Sequence, residues 1–245
     1  MIKGGTFLGR CIVMVVLFLF LNHLPTEATE RFDFEKTGKA TWEVKTDEKM
    51  VAITFDDGPS PVYTPQILDV LAKHKAKATF FVVGKHAIKH PEIIRREVLE
   101  GHEIANHTFN HSNIVRDSQK LENEIEITTD TLKEITGFSP TLFRPVGGSY
   151  NDVIINTAAE NGYHVVLWSW HQDTKDWKNP GVSRITKRVI SGVKPGNIIL
   201  FHDSGGNRTQ TVQALDQILT ELEEDGYEFV TVSEMLFRTQ IKQSN

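Results

Sequence analysis

Met50-Val51-Ala52-Ile53-Thr54-Phe55-Asp56-Asp57-Gly58-Pro59 is the stretch on which the fold of this chain turns. Apolar residues, broken only by one threonine, run straight into two carboxylates and a Gly-Pro pair. A sheet strand covered on one face alternates apolar and polar residues, whereas one covered on both faces reads as a continuous apolar run. The stretch therefore predicts a central strand over Met50–Phe55 that stops at a polar turn. Adjacent carboxylates repel unless a cation or a positive side chain lies nearby. Gly58-Pro59 imposes a turn that could bring both to one site.

Runs of the same kind recur outward from this one, at Ala78–Val83, Glu103–Asn106, Leu142–Arg144, His164–Trp168, Asn197–Phe201 and Glu228–Val232. Between them lie stretches with helical periodicity, over Thr64–His74, Pro91–Gly101, Ser118–Thr136, Asn151–Asn161, Val182–Ser191 and Thr209–Asp225. Gly101, Gly137, Gly162, Gly192 and Gly226 stand where left-handed helix stops are expected. Strands alternating with helices imply a parallel sheet with helical crossovers. The expected fold is α/β, a distorted (β/α) barrel of about seven parallel strands in one catalytic domain, with a doubly wound open sheet as the alternative. No internal repeat or second-domain boundary is visible.

The unusual polar residues follow the strand ends, one cluster after another. Asp56-Asp57 follows the first strand, His107 and His111 the third, and Arg144-Pro145 the fourth. Asp173, Asp176 and Trp177 follow the fifth, and His202-Asp203 the sixth. In barrels and open α/β sheets the active site lies at the carboxyl ends of the strands, so these clusters are expected to converge. The i, i+4 spacing of His107 and His111 would place both imidazoles on one side of a helical turn. With Asp57 they would supply three ligands and leave a position open, the pattern of a catalytic metal site. Zinc suits imidazole and carboxylate, with cobalt, nickel or manganese as alternatives. Each cluster alone also fits an ordinary polar loop, and His202 alone an ordinary strand end. The remaining histidines read as surface or structural.

Composition closes off other classes. The 245 residues contain one cysteine, which excludes an internal disulfide and any multi-cysteine metal site. A net charge of −5 and a pI near 6.1 argue against a nucleic-acid binder. Lys3 and Arg10 precede an apolar run, Cys11–Leu21, and polar sequence begins at Asn22. That run is shorter than the ~20 residues of a membrane span and fits a signal peptide, with Ala28 as the expected cleavage point; an uncleaved anchor is the alternative. Loss of residues 1–28, which carry Lys3, Arg10, Glu27 and the only cysteine, would take the net charge to −6. Residues 29–48 are weakly patterned and read as a linker or lead-in arm, and 49–240 as the catalytic domain.

Taken together, the clusters resemble the motifs of the polysaccharide deacetylase family, also called NodB-homology or carbohydrate esterase family 4 enzymes. Thr54–Ser60 looks like its first motif and His107-Thr108-Phe109-Asn110-His111 its second. Arg144–Gly148, Asp173–Trp177 and Leu200-Phe201-His202 resemble the third, fourth and fifth. Val146 and Gly147 depart from the proline and tyrosine usual in the third motif. The resemblance implies a distorted barrel, one divalent metal on Asp57, His107 and His111, and hydrolysis of N-acetyl groups from amino sugars. It implies Asp56 as general base, oriented by Arg144, and His202 as general acid, oriented by Asp176. It also implies the Gly147 N–H as an oxyanion donor, with Trp177 and Leu200 around the acetyl methyl. The partner expected is a glycan: peptidoglycan N-acetylglucosamine first, with N-acetylmuramic acid and chitin oligomers as alternatives. The protein is expected to be exported, to act as a monomer, and to meet the membrane only through an uncleaved N-terminal segment. An inactive carbohydrate-binding protein and a metal hydrolase acting on another acyl ester or amide are the competing readings.

Overall fold

In the computed structural model, which describes residues 26–243, Met50–Asp56 forms the strand expected of it. The strands are β1 (Ala40–Thr41), β2 (Met50–Asp56), β3 (Ala78–Val82), β4 (Glu103–Asn106), β5 (Leu142–Phe143), β6 (His164–Val166), β7 (Ile198–His202) and β8 (Glu228–Phe229). The helices are α1 (Thr26–Lys36), α2 (Tyr63–Lys73), α3 (Gly84–Lys89), α4 (Pro91–Leu99), α5 (Ser118–Thr136), α6 (Asp152–Glu160), α7 (Val182–Ile190), α8 (Thr209–Glu224) and α9 (Val232–Gln243). The sheet runs β1-β6-β5-β4-β3-β2-β7, with β8 paired to β2, and every strand pair is parallel. It curls into a half-barrel ringed by helices, the architecture expected from the alternation of strand and helix runs.

Period-two alternation, hidden within the apolar runs, sorts residues between two cores. Val51, Ile53 and Phe55 of β2 join Phe80, Ile104, Ile199 and Phe201 in a cluster under α2, α4, α7 and α8. Met50 and Ala52 join Phe81, Ala105, Phe143, Ile198 and Leu200 in a second cluster inside the curl. Thr54 and Asp56 continue the inner series of β2. Val230, Val232 and Met235 belong to the same inner cluster, so β8 and α9 close the end of the barrel where β2 begins. The other end is left to the polar residues.

Residues 29–48, expected as a linker or lead-in arm, are instead built into the fold. Most of α1 lies in this segment, and β1 pairs with β6 through Ala40↔Val165 and Thr41↔Val166. Trp42 is fully buried in the inner core. The Val44 N–H donates to Gly196 O at 2.9 Å, and an isolated bridge joins Glu43 to Asn197. These contacts draw the β1 and β7 edges together. Gly196 (φ 79°) permits the approach, because a methyl there would lie 1.8 Å from Val44 O.

The strand expected at Glu103–Asn106 appears with those ends, and the other expected strands appear at their places with ends moved by one to three residues. The six expected helices appear likewise, and α1, α3 and α9 are additional. Gly101, Gly137, Gly162 and Gly226 take the left-handed stop, and Gly192 does not. Among the described residues no helix is long and apolar enough to cross a membrane. Lys3, Arg10 and the apolar run Cys11–Leu21 lie outside the described residues.

Candidate active site

Each strand delivers its inner-face residue to the open end of the curl. Asp56 of β2 and His202 of β7 are register partners on neighbouring strands. His107 follows β4 and Arg144 follows β5. The expected convergence of the polar clusters is therefore what the sheet register produces.

Asp57, His107 and His111 come together, with one ligand atom from each within 4.8 Å of the others. Asp57 Oδ1 lies 2.9 Å from His111 Nε2 and 3.6 Å from His107 Nε2. His107 Nδ1 donates to the Arg144 carbonyl at 2.7 Å, which leaves the Nε2 lone pair facing Asp57. Burial works to raise the Asp57 carboxyl, but the two histidines beside it hold it below the ordinary range. Two imidazoles and one carboxylate at this spacing fit a divalent cation and leave positions open to solvent or substrate.

The histidine pair is not on a helical turn, as its spacing suggested. Residues 107–112 form an irregular loop in which Thr108 (φ 68°) and His111 (φ 58°) are left-handed. Asp57 is left-handed as well, at φ 78°. Such conformations in residues with side chains cost about 1–3 kcal/mol each and persist where surrounding contacts enforce them. Asn106 Oδ1 accepts the Thr108 N–H, and Thr108 O accepts the Gly84 N–H. The reversal at Asp57 itself, together with the following Gly58-Pro59, separates its carboxylate from that of Asp56.

Asp56 faces inward, 4% exposed, and accepts a 2.7 Å hydrogen bond from Arg144 Nη1. Arg144 is fully buried, and its remaining donors go to Thr54 Oγ1, Val166 O and Leu167 O. His202 Nδ1 lies 2.7 Å from Asp176 Oδ1, and Asp176 Oδ2 accepts from the His202 N–H and the Thr211 hydroxyl. Burial alone would disfavour the His202 charge, but the Asp176 carboxylate outweighs it and pushes His202 up to about 9.

Asp56, Asp57, His107, His111 and His202 border one cavity of about 410 Å³, which Gly147, Trp177 and Leu200 also line; Arg144 and Asp176 reach it only through Asp56 and His202. Leu200 is buried and Trp177 half exposed. Trp168 is a further wall, and it explains the glycine after Gly147. A methyl on Gly148, at φ 68°, would lie 2.4 Å from the Trp168 ring.

The sequence reading missed three contributors. His86, read from the sequence as surface or structural, donates through Nδ1 to Asp57 O at 2.8 Å. Asp203 is buried, accepts from the Thr64 hydroxyl, and packs so closely on Gly58 that a methyl there would collide with its Oδ2. Burial and the negative charges of Asp57 and Asp56 push Asp203 up to about 7. Arg208 lines the cavity from the loop after β7. Only the place of Asp203 beside His202 was a signal; the rest depends on contacts between distant segments.

Comparison with known proteins follows the same lines. The family model described as polysaccharide deacetylase matches residues 43–166. A peptidoglycan-N-acetylglucosamine deacetylase of Bacillus cereus is 52% identical over 207 residues, covering 84% of this chain and 97% of that relative. A Listeria monocytogenes protein of the same description is 40% identical over 188 residues, covering 76% of this chain and 39% of that relative. A crystal structure of a peptidoglycan N-acetylglucosamine deacetylase in complex with 4-naphthalen-1-yl-N-oxidanyl-benzamide matches with a TM-score of 0.80 at 36% identity. It covers 83% of this chain and 95% of that one.

Proposed function

Because this chain belongs to the polysaccharide deacetylase family, we propose that it hydrolyses the N-acetyl groups of N-acetylglucosamine residues in peptidoglycan. The observation that carries the reading is one cavity bordered by a metal-ligand set, an arginine-paired carboxylate and a carboxylate-paired histidine. The family uses a divalent metal, and Asp57, His107 and His111 would hold it, with zinc the choice that suits them. When bound, such an ion polarises an acyl oxygen and acidifies water.

An amide resists hydrolysis because its carbonyl is a poor electrophile and its amine a poor leaving group. Asp56 takes the proton from the attacking water, and its ion pair with Arg144 keeps the carboxylate ionised and aimed. The Gly147 N–H stabilises the negative charge that develops on the acetyl oxygen. A backbone donor needs no tyrosine side chain, so the departure at Val146-Gly147 leaves this role open to the chain. His202 donates a proton to the departing nitrogen, and Asp176 holds it protonated and oriented. Trp177 and Leu200 enclose the acetyl methyl and leave little room for larger acyl groups.

Residues 49–240 act as the catalytic domain, with 29–48 packed against it, and residues 1–28 direct export to the cell envelope as a signal peptide or anchor. The protein acts as a monomer. Mass spectrometry of acetate-loss products from defined muropeptides and chitin oligomers tests the substrate. Loss of acetyl groups from the glucosamine residues of the muropeptides is expected. Loss confined to muramic acid or to chitin oligomers overturns that choice, and no loss from any glycan overturns the deacetylase reading. N-terminal sequencing of exported protein, expected to begin at Thr29, tests the processing.

A further inference from the structure

Two buried arginines, one lining this cavity and one paired to its Asp56, are treated differently by the protein. Arg144 is fully buried, and all three of its guanidinium nitrogens donate within the protein at 2.7–2.9 Å. Arg208 is 2% exposed and lines the cavity, yet only its Nε is engaged, donating to Ser204 O at 2.7 Å. Among the described residues, no protein acceptor takes a hydrogen bond from Nη1 or Nη2, and no carboxylate forms an ion pair with them.

The loop after β7 fixes where those donors sit. A methyl on Gly205 would lie 3.1 Å from Asp57 Oδ2 and 3.3 Å from Arg208 Nη2. A methyl on Gly206 would lie 3.9 Å from both Nη1 and Nη2. The guanidinium thus rests against the Gly205-Gly206 backbone, with Nη2 and the second oxygen of Asp57 flanking Gly205. An arginine does not escape burial by losing its proton. Nη1 and Nη2 are not among the fully buried unpartnered atoms, so they open onto the cavity, where an incoming acceptor can reach them. The partner that matches a planar fork of two free donors is a carboxylate, which accepts both bonds in parallel.

We propose that Arg208 is a carboxylate-binding residue of the active-site cleft, its Nη1 and Nη2 donating to one carboxylate of the product or the substrate. The identity of that carboxylate rests on the deacetylase reading. It is either the acetate released by hydrolysis or a carboxylate on the peptide of a peptidoglycan fragment. The binding chemistry itself stands apart from turnover.

The test uses the full chain, metal-free, titrated with isotopically labelled acetate and, as a neutral control of the same shape, acetamide. Arg208→Met is expected to weaken acetate binding about tenfold and to leave acetamide unchanged, while Arg208→Lys retains part of the acetate affinity. Equal acetate affinity in wild type and Arg208→Met overturns the proposal, as does an equal loss of acetate and acetamide binding. If Arg208→Met does not fold, Arg208→Lys carries the test: loss of acetate affinity with acetamide unchanged supports the proposal, and wild-type acetate affinity overturns it. Steady-state assays then separate the sources. A tenfold weaker product inhibition by acetate assigns the released product. A tenfold higher KM for a peptide-bearing muropeptide, with KM for a neutral N-acetylglucosamine oligomer unchanged, assigns the substrate. If wild-type protein releases acetate from no glycan, the deacetylase reading fails while the acetate titration remains decisive for Arg208.

Discussion

Asp56 and Asp57 are adjacent in the chain and chemically identical, and the backbone separates their work. Asp56 ends the inner series of β2 and meets Arg144; Asp57 turns left-handed and meets His107 and His111. Asp56→Asn should therefore lower turnover by about 10²–10⁴-fold, the usual worth of a general base, while metal content stays near wild type. His107→Ala should lose both. Turnover assays with metal analysis on the same preparations check the pair, and an active Asp56→Asn removes the base assignment. His202 supplies a second prediction. It can donate only while protonated, so activity is expected below its value of about 9 and should fall as pH rises through it. Asp176→Asn removes the main cause that raises His202, with the weaker pull of Asp56 and Asp57 left against the burial that lowers it. The alkaline limb of the kcat profile should shift to lower pH, which a pH–rate series measures.

At the scale of elements, β1 shows how far a short segment can matter. It has two residues, yet it carries Trp42 into the inner core and helps bring the sheet edges together. Trp42→Ala should cost about 3–5 kcal/mol, read as a lower thermal midpoint by circular dichroism. An unchanged midpoint would mean that the segment only rests on the barrel. The longer strands were legible because their apolar runs are continuous, and the site was legible because parallel sheets put chemistry at strand ends. β1 was not, since two residues give no periodicity. The His107–His111 loop was misread as helical because spacing says nothing of Thr108 and His111 at positive φ. Asn106 and Gly84 hold the Thr108 conformation, partners the local pattern does not reveal. Arg208 was opaque for a related reason, since its burial depends on how the loop after β7 folds back, and Asp203 was legible only as the neighbour of His202.

For the molecule as a whole, the proposed metal ligands come from the turn after β2 and from the loop after β4, and the proposed acid from β7, so the proposed chemistry depends on the assembled curl. Dialysis against a chelator should abolish acetate release without unfolding the chain, because the two cores contain no metal ligand. Added divalent metal should restore it. Acetate assays alongside circular dichroism check this, and chelator-resistant activity would remove the metal from the reaction. Arg144 binds the same parts together from within. Following β5, it donates to Thr54 and Asp56 of β2 and to the carbonyls of Val166 and Leu167, with Phe81 of β3 3.9 Å beneath its guanidinium. Breaking a buried charged network of this kind typically costs about 3–5 kcal/mol, a large part of a domain's stability. Genetic screens that score cell-wall phenotypes would thus record Arg144 alleles as missing protein and Asp56 alleles as silent protein. A immunoblot separates the two lesions where an activity measurement makes them look alike.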